Sequence, residues 1–136
     1  MPSFVHEFRV SWVDTDALGV VHFSNYFRYF EKAEQEFFEH SGSTQGNVME
    51  RYGVAFPRVE AHCFYESPLR FGDTAATQLW LEQVNDKSVK IRFEITNRTA
   101  GRRAAHGTMT LVCVDSSAWK AVSIPEPVRA ILRELD

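Results

Sequence analysis

Phe4, His6, Phe8, Val10 and Trp12 occupy alternate positions, with Glu7, Arg9 and Ser11 between them. A period of two predicts a half-buried strand over this stretch, because successive side chains leave a strand on opposite faces. Between residues 25 and 40 the period changes. Tyr26, Phe30, Ala33 and Phe37 recur at i, i+4, i+7 and i+11, Tyr29 widens the stripe, and Glu31, Lys32, Glu34, Gln35 and Glu36 lie off it. This spacing predicts an amphipathic helix over Asn25 to His40, about 24 Å long at 1.5 Å per residue. Ser24 suits its N-cap and Gly42 its C-terminal stop, since serine can accept an orphan N–H and glycine tolerates the left-handed conformation.

Alternation returns afterwards. Residues 56 to 67 predict a strand, the Ser67-Pro68-Leu69-Arg70-Phe71-Gly72-Asp73 stretch a turn, and Thr77, Leu79 and Leu81 a further strand. Val89, Ile91, Phe93 and Ile95 alternate with Lys90, Arg92 and Glu94, and the glycine between Asn97 and Arg103 precedes the apolar run around Met109, Leu111 and Cys113. That pattern predicts a hairpin. Pro125 introduces a short terminal helix from Pro127 to Leu135. A strand, one long helix and four more strands give an α+β fold in which the helix crosses a five-stranded antiparallel sheet.

Composition narrows the picture. A chain of 136 residues fits one domain over 1–136, large enough to bury roughly two-thirds of its unfolded surface. No repeat, low-complexity tract or linker interrupts it. The net charge of -3 gives no electrostatic reason to expect nucleic acid. No basic stretch precedes an apolar core at the N-terminus and no window predicts a membrane span, so a cytoplasmic protein is expected. Cys63 and Cys113 sit in apolar alternating segments and are expected as small buried thiols.

The candidate chemistry lies just before the long helix. Asp14-Thr15-Asp16-Ala17-Leu18-Gly19-Val20-Val21-His22-Phe23-Ser24-Asn25-Tyr26 gathers two carboxylates, a glycine, a histidine and an asparagine. A carboxylate delivered beside the N–H groups of a helix start suits acyl transfer, one group acting on the carbonyl carbon and the others polarising its oxygen. Asp16 read alone has a second explanation, an Asx turn that orders the loop. Asp14 is expected to hold a turn. His22 either orients the carboxylate, donates to the substrate, or satisfies a neighbouring backbone group. A calcium loop fails, because Leu18 and Asn25 stand where ligands are required, and the five histidines lack metal-ligand spacing. No metal site and no cofactor is expected.

The order of strand, Asp-Thr-Asp-x-x-Gly-Val-Val-His-x-x-Asn-Tyr, long helix and four strands resembles the hotdog-fold acyl-CoA thioesterases of the 4-hydroxybenzoyl-CoA thioesterase class. Tyr65-Glu66-Ser67-Pro68 followed by Gly72-Asp73 is similar to that family's second landmark. Phe56-Pro57 and Pro125-Glu126-Pro127 resemble the branch that hydrolyses 1,4-dihydroxy-2-naphthoyl-CoA.

The resemblance implies a catalytic carboxylate at Asp16, as nucleophile or general base, with coenzyme A entering as part of the substrate. It implies substrate contacts at Gly19, Val20, Asn25 and Tyr26, and a polarising N–H in the segment from Val59 to His62. Glu31 matches the position where aryl-specific relatives carry an acid that meets a ring hydroxyl; a solvated helix face is its other reading. Lys87 and Ser88 match the end of a basic cluster that meets coenzyme A, although Asn85 and Asp86 replace the arginines before it. A homodimer paired again into a homotetramer is the family's usual assembly. Two alternatives remain open: a hotdog dehydratase, and a silent module that binds acyl-CoA or docks an acyl-carrier protein.

Overall fold

The computed structural model describes residues 3–42 and 50–136. Strand β1, Phe4–Arg9, leads through a 3-10 turn at Trp12–Asp14 and a second at Phe23–Asn25 into helix α1, Tyr26–His40. Short β2, Val54–Ala55, is followed by β3, Arg58–Tyr65; β4, Thr74–Val84; β5, Ser88–Asn97; β6, Arg102–Val112; and short β7, Val114–Asp115. Helix α2, Glu126–Leu132, ends in a 3-10 turn, Arg133–Leu135. The main sheet has the order β1-β4-β5-β6-β3, every neighbour antiparallel, and β2 pairs separately with β7. This is the expected α+β arrangement. No helix among the described residues is long and apolar enough to cross a membrane.

Strict alternation explains why β5 sits at the centre. Val89, Ile91, Phe93 and Ile95 are buried towards α1 while the residues between them are half-buried. Phe30 of α1 meets Phe93 with ring centroids 5.2 Å apart, and Phe27 meets the same ring at 6.3 Å. Burial of each such side chain contributes about 1.5–3 kcal/mol, which outweighs the modest propensity differences among helix residues. Gly107 of β6 leaves room for this contact. A Cβ there would stand 1.9 Å from the His62 carbonyl oxygen and 2.8 Å from Phe93 Cζ.

Several local expectations shift. β1 stops at Arg9, because Trp12 belongs to a turn and is 77% exposed rather than in the core. Helix α1 begins one residue late, and Ser24 makes no cap for it. Instead the ring of His22 caps the preceding 3-10 turn, accepting from the Ser24 N–H. Gly42, at φ +80°, does terminate the helix, and its N–H donates to the Glu39 carbonyl at 3.0 Å.

The largest correction concerns Glu34. It lies off the apolar stripe by sequence, yet it is only 1% exposed and forms an ion pair with Arg58 at the start of β3. Alternation cannot reveal such a residue, because its partner comes from another element. Cys113 is buried, Cys63 half-buried, and both thiols are free.

Candidate active site

The loop before α1 is a miniature hairpin. Thr15 bridges Val21, the Asp16 N–H donates to the Val20 carbonyl at 2.9 Å, and the His22 N–H donates to the Asp14 carbonyl at 2.9 Å. Gly19 closes the turn at φ +80°, a conformation that disfavours any residue with a Cβ. The Asp16 side chain orders the same turn, its Oδ1 accepting from the Leu18 N–H at 2.8 Å. The Asx-turn reading of Asp16 is therefore borne out. One oxygen holds an Asx turn, and Oδ2 accepts no hydrogen bond among the described residues.

Asp14 anchors the hairpin to the helix. Its carbonyl accepts from Asn25 Nδ2 at 2.9 Å and its Oδ2 accepts from the Tyr29 hydroxyl at 2.9 Å. Burial, then the neighbouring Asp14 carboxylate, pushes the Tyr29 phenol well above its ordinary range, so it stays a donor. Burial also raises Tyr26, whose ring packs edge-on against Tyr65 at 5.0 Å.

Asp16 opens onto a cleft of about 370 Å³, lined also by Leu18, Val20, Val21, Phe23 and Tyr26 and, across it, by Tyr65, Glu66, Ser67 and Pro68. On its other side Asp16 borders a second cleft of about 380 Å³ against Trp12, Val13 and Thr15. The carboxylate thus stands at a junction, with apolar walls in both directions. The Tyr65 hydroxyl donates to the Phe23 carbonyl at 3.0 Å, tying the end of β3 to the helix start. Burial raises Tyr65 to about 12, so this donor too keeps its proton. As the first residue of a helical turn, Phe23 presents an N–H with no partner among the described residues, beside the cleft it lines.

Of the residues singled out by sequence, Asp16, Val20 and Tyr26 line the first cleft, and Gly19 and Asn25 shape the loop. His22 is not among the residues that line this cleft: its Nδ1 lies 2.7 Å from Ser24 Oγ and its ring lies tilted against Phe23 at 4.4 Å. Glu31 is exposed on α1, and Val59 and His62 are exposed on β3. Lys87, in the β4–β5 turn, and Ser88, the first residue of β5, lie at the far end of the sheet, roughly 33 Å along β4 from the cleft. There Arg129 of α2 holds the turn, donating to the Asn85 and Asp86 carbonyls at 3.0 Å each. Leu18, Val21 and Phe23 are cleft walls that no pattern in the sequence marks, and Tyr65 to Pro68, similar to a family landmark, form the opposite wall. Their spacing from Asp16 in the chain gives no sign that β3 ends opposite the hairpin.

Residues 10–132 match the Thioesterase-like superfamily. A 1,4-dihydroxy-2-naphthoyl-CoA hydrolase of Synechococcus sp. (strain CC9605) is 28% identical, over 88% of this chain and 82% of its own. A hypothetical protein of Aquifex aeolicus has a crystal structure similar at TM-score 0.87 and 32% identity, covering 95% of this chain and 98% of that one. A gentisyl-coenzyme A thioesterase is similar at TM-score 0.82 and 29% identity, covering 94% and 98%. By this match over most of its length and by its fold, the chain belongs to the Thioesterase-like superfamily and is a thioester hydrolase of the hotdog fold.

Proposed function

We propose that the protein hydrolyses an aroyl- or short acyl-CoA thioester to free acid and coenzyme A, with Asp16 as the acting carboxylate. The observation that carries this reading is the position of Asp16: one oxygen is fixed by the Leu18 N–H, the other is uncommitted, and Phe23 at the helix start shares the same cleft. The carboxylate either attacks the thioester carbon, forming an anhydride that water cleaves, or takes a proton from the attacking water. In both routes negative charge develops on the carbonyl oxygen. The Phe23 N–H, at the positive end of the turn that runs into α1, suits stabilisation of that charge. The thiolate of coenzyme A leaves and takes up a proton.

Assembly as a homodimer fits this reading. Among the described residues β3 bonds to β6 on one side only and its other edge is open, with Val59 and Phe64 56% and 60% exposed. Open apolar edges invite pairing with another strand. Antiparallel pairing of two copies along β3 would bring the β4–β5 turn of the second copy, with its Lys87 and Ser88, towards the cleft end of the first. A cation there suits the phosphates of coenzyme A. Two such dimers joined would give the expected tetramer.

The experiment is release of free thiol from a panel of aroyl- and acyl-CoA thioesters by wild type and Asp16→Asn. Turnover by the wild type and its loss in the variant are expected; equal rates in both would remove Asp16 from the chemistry.

A further inference from the structure

Two carboxylates line the cleft, Asp16 and Glu66, and thioester cleavage uses one of them. Glu66 follows the last residue of β3, and its side chain is held from two directions. Arg103 of β6 donates from Nε to Oε1 at 2.5 Å and from a terminal nitrogen to Oε2 at 3.0 Å. His106 Nδ1 lies 2.9 Å from Oε1, and its ring is stacked on Phe64. A guanidinium fork gripping both oxygens fixes the direction of a carboxylate as well as its charge. Ion pairs this open to solvent add little stability, the Glu66 and Arg103 side chains being 35% and 41% exposed. What the clamp achieves is orientation.

The clamp also leaves acceptor capacity unused. An ionised carboxylate offers about four acceptor sites. Among the described residues, Oε1 receives two donors and Oε2 one. The neighbouring polar side chains are already directed to the backbone, Ser67 Oγ donating to the Arg103 carbonyl at 2.8 Å and Tyr65 to Phe23. Beyond Asp16, the charged acceptor that the cleft offers a ligand is therefore Oε2 of Glu66.

We propose that Glu66 is a specificity residue whose Oε2 accepts a hydrogen bond from a hydroxyl on the acyl group, so that hydroxylated aroyl thioesters are selected over unsubstituted ones. The inference rests on the thioesterase reading of the cleft. Arg103 and His106 act through Glu66 and are positioning residues.

Phenacyl-CoA and its 2-, 3- and 4-hydroxy forms, ketone analogues that cannot be hydrolysed, test this by calorimetry on the whole protein. They read binding without turnover, so a failed thiol-release assay and a failure of this proposal are separate results. The wild type is expected to bind at least one hydroxylated isomer about tenfold more tightly than phenacyl-CoA. Glu66→Leu should bring that ratio close to one, Glu66→Gln should retain part of it through its amide oxygen, and Arg103→Leu should lower it by freeing the carboxylate. Absence of any preference in the wild type would overturn the proposal, as would a preference that survives Glu66→Leu. Equal weakening of every analogue by Glu66→Leu would overturn it too, by placing the donor in the pantetheine arm that all of them share.

Discussion

Tyr29, one turn into α1, donates its hydroxyl to Oδ2 of Asp14 at 2.9 Å, and this bond ties the helix to the hairpin that carries Asp16. Together with Asn25 Nδ2 on the Asp14 carbonyl, it fixes where this hairpin stands relative to the helix start.

Tyr29→Phe removes the bond and keeps the ring. A loss of about 1 kcal/mol in unfolding free energy is expected, measurable by urea titration. The pH dependence has a definite sign. The folded protein holds the Tyr29 proton more tightly than the unfolded chain does, so the contribution is complete below the ordinary tyrosine pKa of about 10 and fades as pH rises above it. Wild-type stability should therefore fall more steeply above pH 10 than that of Tyr29→Phe; parallel curves would contradict the assignment.

The observed turn bond of Asp16 and its proposed chemistry can be separated. Asparagine can still accept from the Leu18 N–H, so Asp16→Asn should unfold within about 0.5 kcal/mol of the wild type while kcat falls by about 10²–10⁴. Asp16→Ala loses the turn bond as well and should be less stable by about a further 1 kcal/mol. Paired denaturation and thiol-release measurements on both variants read the two effects independently.

Gly107→Ala should be the most damaging single methyl in the sheet. The added Cβ would meet the His62 carbonyl at 1.9 Å, and backbone cannot swing aside as a flexible side chain can. A cost of about 3 kcal/mol is expected, read as a fall in Tm of roughly 10 °C. An unchanged Tm would mean that β3 and β6 are not held at this spacing.

Glu66 gives the acid counterpart of Tyr29. Hydrogen bonds from Arg103, then His106, lower its pKa to about 2. A carboxylate depressed in the folded state stabilises above the ordinary glutamate pKa of about 4.3, and that contribution is lost as pH falls towards 2. Between those limits the wild type should lose more stability than Glu66→Gln, in circular-dichroism melts taken at stepped pH. At high salt the difference should shrink, because the pair is exposed to solvent.

Much of this molecule is legible in one dimension. The stripe Tyr26, Phe30, Ala33, Phe37 marks the helix, and the alternation of β5 marks a strand with one face in the core, because both periods follow from backbone geometry alone. The loop motif locates Asp16 for the same reason: a hairpin closed by Gly19 and the Asp16 side chain is local chemistry over five residues. Tertiary structure decided the rest. Glu34 is an interior residue whose ion-pair partner Arg58 comes from β3, and Glu66 lines the cleft because β3 ends opposite the hairpin. His22 carries the right side chain for catalysis, yet its ring caps the turn before α1. The sequence by itself determined the elements and the tight hairpin that displays Asp16, since those depend on neighbours a few residues away. Which side chains surround that carboxylate was decided by folding, which brings together segments some fifty residues apart through burial and pairing that no short window of the chain contains.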